Sequence, residues 1–127
     1  MAVLVDTCGW IEWLTDGALA ERFRPYLEQT GALIVPTVVQ YELYKWVRRE
    51  LDPVRALQVV TWTEQGQVVP LSTALALSAA DLAIEHQLAF ADAIIYATAR
   101  QAGAPLITAD NHFEGLPEVT YFPKQAT

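Results

Sequence analysis

The sequence predicts a three-layer α/β/α domain built on a mostly parallel sheet of four or five strands. Short apolar runs alternate with helical segments along the whole chain, which makes right-handed crossovers and a parallel sheet the natural solution. The runs show little polar alternation, as expected of strands covered on both faces. With 127 residues, 53% of them hydrophobic and 18% charged, the chain is long enough to bury one core and too apolar to be disordered. A single domain spanning residues 1–127 is therefore expected.

Each element has a local reason. Ala2–Val5 is a short apolar run ending in Asp6-Thr7 and reads as a strand. Gly9–Leu14 reads as a short helix with Thr7 as its N-cap, stopped by Asp16-Gly17. Ala18–Gln29 is helical and closed by Gly31. A second strand is expected over Ala32–Val35. Thr37-Val-Val-Gln40 fits a capping box and opens a helix running to about Leu51. Pro53 starts another helix, which ends near Gly66.

The pattern then repeats. Val68–Leu71 is a third strand and Ser72–His86 a helix, with Ser78-Ala-Ala-Asp81 resembling a local capping arrangement. A break around Leu88–Ala91 precedes a helix over Asp92–Ala102, closed by Gly103. Pro105–Thr108 is a fourth strand and Val119–Phe122 a fifth at an edge.

Composition narrows the function classes. No stretch reaches the roughly 18 apolar residues of a membrane span. Asp6 falls where a secretory leader would be apolar, so a cytoplasmic protein is expected. One cysteine, Cys8, excludes an internal disulfide and a cysteine-based zinc site. The net charge of −7 disfavours general nucleic-acid binding, since phosphate contacts need Lys and Arg. Six of the eight bases nevertheless lie between Arg22 and Arg55, which leaves room for a local basic face.

The acids carry the chemistry. Asp6 ends the first strand and Asp110 follows the fourth, in Leu106-Ile-Thr-Ala-Asp110. Ligands of an open parallel sheet bind beyond the carboxyl ends of its strands, at a switch in strand order, so both acids are candidates for one crevice. Glu42 lies in the helix after strand two. Asp92 lies in the first turn of the helix before strand four, where the helix dipole favours a carboxylate. Each has a plainer reading: a helix cap for Asp6, a solvated residue for Glu42, a stabilising first-turn charge for Asp92, a turn residue for Asp110. Taken together they read as a site for a hard divalent cation such as Mg²⁺. Such ions can activate water and stabilise a leaving oxygen in phosphodiester hydrolysis. Neither Cys8 nor the two histidines sits in a zinc-ligand pattern, and His112 reads as a turn residue on the surface.

Other residues have competing readings. Arg48 and Arg49 are candidate phosphate contacts, or surface charges at a helix C-terminus. Trp10, Trp13, Tyr41, Tyr44 and Trp46 are many large aromatics for so small a domain and predict an exposed apolar interface. Tyr41, Tyr44 and Val47 are expected to share a helix face. Glu12 is expected to point away from Asp6.

These segments resemble a known family. Val3-Leu-Val-Asp-Thr-Cys-Gly-Trp-Ile-Glu-Trp-Leu14 resembles the opening of PIN-domain nucleases. Ala91-Asp-Ala-Ile-Ile-Tyr-Ala-Thr-Ala99 and Pro105-Leu-Ile-Thr-Ala-Asp-Asn-His-Phe113 resemble their closing half. The length and acid spacing resemble the VapC toxins of toxin–antitoxin pairs. The resemblance implies a Mg²⁺- or Mn²⁺-dependent endoribonuclease that leaves a 5′-phosphate and a 3′-hydroxyl. Asp6, Glu42 and Asp92 would hold the principal metal, and Asp110 would act through water or at a second metal. Thr108 would add a hydroxyl that orients Asp110 or a bound water. It also implies a VapB-like antitoxin and a homodimer that assembles further with it. The family often has Ser in place of Cys8 and a small residue in place of Tyr96.

Two other classes compete. A receiver-like signalling domain shares the doubly wound sheet, acidic pocket and Mg²⁺, but it needs a phospho-acceptor Asp ending strand three, where this chain has Pro70-Leu71-Ser72. A degenerate PIN binding module without nuclease activity is the other.

Overall fold

The computed structural model describes residues 1–124. Five strands run through it: β1 Leu4–Val5, β2 Ile34–Pro36, β3 Gln67–Val69, β4 Leu106–Thr108 and β5 Val119–Tyr121. Six helices separate them: α1 Thr7–Leu14, α2 Ala20–Leu27, α3 Thr37–Glu50, α4 Pro53–Thr63, α5 Thr73–His86 and α6 Phe90–Ala102. Every pairing is parallel. β1 pairs with β4 and β4 with β5, while β2 pairs with β3. A single parallel bridge, Val3 to Leu33, joins the two groups. Its backbone bonds are Val3 N–H to Ala32 O, 2.9 Å, and Ile34 N–H to Val3 O, 2.8 Å. The resulting order is β3-β2-β1-β4-β5, and it reverses between β1 and β4.

The helices form because their buried stripes meet this sheet. On α3, Val39, Leu43 and Val47 recur every four residues and are buried. That places Glu42, Lys45, Trp46 and Arg49 on an adjoining, wetter stripe. α6 is buried at every position from Ala93 to Ala99, and only its first turn and last residues reach solvent. Tyr96 on this helix is buried, packs on Phe113 and donates its hydroxyl to Pro117 O at 2.8 Å. The bond satisfies the polar end of a core ring and pins the loop between β4 and β5.

Several local expectations shift for physical reasons. Asp6, not Thr7, is the N-cap of α1, and its carboxylate accepts from Thr7 N–H. The Thr37–Gln40 capping box does not form: α3 has no side-chain cap, and Gln40 donates instead to Thr63 Oγ1 (3.0 Å) and Glu64 Oε1 (3.3 Å). That trade ties α3 to the end of α4. α2 begins at Ala20 because Glu12, reaching across from α1, accepts from Leu19 N–H at 3.1 Å. Ser78 and Asp81 lie inside α5, whose N-cap is Ser72. A 3₁₀ turn over Thr30–Ala32 shortens the run into β2. Phe90 starts α6 two residues before the expected Asp92, which places Asp92 on its third residue.

Candidate active site

The crevice opens at the carboxyl ends of β1 and β4, where the strand order reverses. Asp6 leaves β1 there, only 4% exposed. Its Oδ1 accepts from Thr7 N–H at 2.8 Å and its Oδ2 from the Thr108 hydroxyl at 2.8 Å. Thr108 is fully buried at the end of β4, and its Oγ1 also accepts from Asp110 N–H at 2.9 Å. One hydroxyl thus links two acids 104 positions apart in sequence. Cys8 closes the same corner. Its Sγ lies 3.5 Å from Asp6 Oδ2 and 3.6 Å from Thr108 Oγ1, and it accepts from Ala109 N–H at 3.5 Å. Burial and the neighbouring Asp6 charge push its thiol up to about 12, so it stays protonated.

Asp92 comes from the first turn of α6 and Asp110 from the turn after β4. One ligand atom from each of Asp92, Asp110 and His112 lies within 4.8 Å of the other two. Asp110 caps the 3₁₀ turn Asn111–Phe113, accepting from His112 N–H at 2.9 Å. Glu42 reaches in from α3, held by the Thr7 hydroxyl, which donates to its Oε1 at 2.6 Å.

Charge and burial act together on the cluster. Asp6 is pushed up to about 6, chiefly by burial, against the lowering effect of the Thr108 bond, with the Asp92 and Asp110 charges adding to the rise. Asp92 is also raised to about 6, by burial first and then by Asp110, with a smaller push from Glu42 and an opposing pull from His112. Like charges crowded into a poorly solvated crevice hold protons that a divalent cation would displace. The donors are carboxylate and hydroxyl oxygens, the set a hard dication prefers, so these residues fit Mg²⁺ or Mn²⁺.

Of the four acids named from the sequence, Asp92 and Asp110 come within reach of one ion together with His112, their charges act on Asp6, Glu42 acts on Asp92, and Thr108 links Asp6 to Asp110. Arg49 lines a groove beside it with Thr7, Ile11, Tyr41, Glu42, Lys45 and Trp46. Arg48 lies outside that groove and donates to the Tyr44 hydroxyl at 3.3 Å. Three further residues beside the acids were not assigned to the site from the sequence. Thr7 looked like a cap and holds Glu42 instead. Lys45 was legible, because it sits three residues after Glu42 and four before Arg49. His112, read as a surface turn, is exposed but leans onto the acids, with Nδ1 3.0 Å from Asp110 Oδ1. Trp10 is core, not interface, at 1% exposure. Tyr41 is exposed where Val47 is buried, so those two do not share a face. Trp13, Leu14, Trp46, Leu51 and Trp62 line an apolar cleft between α1, α3 and α4.

The receiver-like reading fails on topology. Its ligand pocket needs β3 in the sheet centre beside β1. Here β3 pairs with β2 at the far edge.

A parallel α/β/α sheet whose switch point gathers acidic side chains defines a class of acid-cluster domains. The PIN domain model matches residues 3–119, and the chain belongs to the PIN domain family. No curated protein sequence matches it. Among solved structures, a toxin–antitoxin complex from Klebsiella pneumoniae is 23% identical with a TM-score of 0.80, covering 97% of this chain and 100% of that one. The DNA-bound VapBC complex from Salmonella typhimurium is 20% identical with a TM-score of 0.74, covering 97% and 98%. VapC20 of Mycobacterium tuberculosis, described as a toxin that cleaves the sarcin–ricin loop, is 19% identical with a TM-score of 0.73, covering 93% and 97%. The fold of this chain is that of VapC-type toxins.

Proposed function

We propose that this PIN domain is the endoribonuclease toxin of a toxin–antitoxin pair, hydrolysing RNA with Mg²⁺ or Mn²⁺ held by Asp6, Glu42, Asp92 and Asp110. The observation that carries the reading is the convergence of these acids at the one strand-order reversal of a PIN fold. Three of the acids have positioning contacts. Thr108 and Thr7 N–H fix both oxygens of Asp6, Thr7 Oγ1 fixes Glu42, and the Thr108 hydroxyl fixes the backbone of Asp110. A bound dication supplies Lewis-acid stabilisation of the phosphodiester and lowers the pKa of an attacking water. Lys45 and Arg49, on the groove that also holds Glu42, offer cations to the RNA backbone next to the acids. Hydrolysis leaves a 5′-phosphate and a 3′-hydroxyl.

The partner would be a VapB-like antitoxin. Three of the similar solved structures are VapBC complexes. The apolar cleft between α1, α3 and α4 is a surface an amphipathic antitoxin segment can fill. A homodimer, assembling further with antitoxin, is part of the same reading. No helix among the described residues is long and apolar enough to cross a membrane. A cytoplasmic setting follows from an RNA target.

The test is cleavage of total RNA by purified protein, with fragment ends sequenced. Cleavage should require Mg²⁺ or Mn²⁺ and stop with chelator. Asp6→Asn and Asp92→Asn should each lower the rate by on the order of 10²–10³, the scale of losing a preorganised electrostatic contact. Undiminished cleavage by either folded variant would refute the assignment.

A further inference from the structure

His112 is the one nitrogen donor among the described residues that meets the acid cluster. Its geometry suits a ligand as well as a hydrogen-bonded neighbour. Nδ1 lies 3.0 Å from Asp110 Oδ1 and 3.8 Å from Asp92 Oδ2. An octahedral dication with bonds of about 2.1 Å sets adjacent ligands about 3.0 Å apart and opposite ones about 4.2 Å apart. The Asp110–His112 spacing is therefore a ready-made octahedral edge, and the Asp92–His112 spacing falls between edge and diagonal.

The backbone holds this arrangement. Asp110 accepts from His112 N–H at 2.9 Å across the 3₁₀ turn, which fixes the imidazole relative to the carboxylate it faces. Phe113, the next residue, is fully buried against Tyr96 and anchors the turn. The other histidine, His86, lies at the end of α5 beside Glu85.

We propose that His112 Nδ1 is a third protein ligand on the Asp92–Asp110 side of the crevice, biasing that position toward first-row transition-metal dications such as Mn²⁺ over Mg²⁺. The inference rests on the acid-cluster reading above and adds a donor to it. Imidazole suits transition metals, whereas Mg²⁺ takes oxygen almost exclusively. Replacing one water by an imidazole therefore rewards Mn²⁺ and does little for Mg²⁺. Neutral His112 would offer the Nδ1 lone pair inward and keep its proton on Nε2, toward solvent.

The test uses the full chain, untagged, loaded with one equivalent of Mn²⁺. Pulsed electron paramagnetic resonance reads ¹⁴N coupling to bound Mn²⁺, and calorimetry reads Mn²⁺ and Mg²⁺ affinities. We expect histidine ¹⁴N coupling in the wild type and its loss in His112→Ala. The ratio of Mn²⁺ to Mg²⁺ affinity should fall about tenfold or more in that variant, the scale of losing one ligand or its support. His112 is exposed, so the variant should fold, and circular dichroism checks this. Bound Mn²⁺ without nitrogen coupling, or an unchanged affinity ratio in His112→Ala, would overturn the proposal. If that Mn²⁺ is still lost in Asp92→Asn, the acid-cluster reading stands and only the His112 ligand falls. If binding ignores Asp6→Asn and Asp92→Asn as well, both fall.

Discussion

Asp6 is the residue whose environment says most. It is sealed from water, holds two hydrogen bonds and sits near two further acids. Its folded pKa of about 6 exceeds the ordinary 3.8. A carboxyl raised on folding destabilises the metal-free fold once it must ionise. The cost is absent below about pH 4, grows as pH rises through 6 and is complete above. In chelator, Asp6→Asn should therefore be more stable than wild type at pH 8 by on the order of 3 kcal/mol, with the difference shrinking toward pH 5. Denaturant unfolding at the two pH values reads this directly, and a pH-independent difference would contradict it. The same shift sets the activity profile. Asp6 and Asp92 must lose protons to bind a dication, so cleavage at limiting metal should rise through about pH 6 and then level.

At the scale of elements, the site depends on how closely α1 lies against α2 and β1. Gly9 makes that approach possible. A Cβ there would meet the Phe23 ring at 2.6 Å and Val5 Cγ1 at 2.7 Å, both buried and without room to retreat. Gly9→Ala should cost roughly 1–3 kcal/mol through overpacking. It should also weaken metal binding, because α1 carries Thr7 and Cys8 and starts at Asp6. Thermal unfolding and Mn²⁺ titration of the variant test both halves, and unchanged stability would show that α1 packs elsewhere. Much of this layer was legible. Strand–helix alternation, Pro53 and Gly103 located most elements to within a few residues. What stayed hidden were side chains satisfying another element's backbone or polar groups. Glu12 capping the start of α2 and Gln40 leaving its own helix for Thr63 are choices made by tertiary neighbours. Local propensity carries no record of them. The acids were readable because strand ends and helix starts converge in a parallel sheet by topology. The approach of His112 to Asp110 was not, because it depends on the turn that Phe113 anchors in the core.

For the whole molecule, a net charge of −7 and a short cationic groove must be reconciled. Lys45 and Arg49 line the groove that holds Glu42, while the net charge of the whole chain opposes a polyanion. RNA binding should therefore involve few phosphate contacts and a shallow salt dependence. With about two contacts, the slope of log K against log salt should be near −1.4 for single strands. Arg49→Ala or Lys45→Ala should each reduce its magnitude by about 0.7. A steep slope untouched by either variant would place the RNA on another face. The most direct measurement of the account is a crystal structure grown with Mn²⁺, read by anomalous scattering at the manganese edge. A peak within bonding distance of the Asp6, Asp92 and Asp110 carboxylates is the predicted result. Manganese bound only elsewhere, with those carboxylates left to one another, would contradict it.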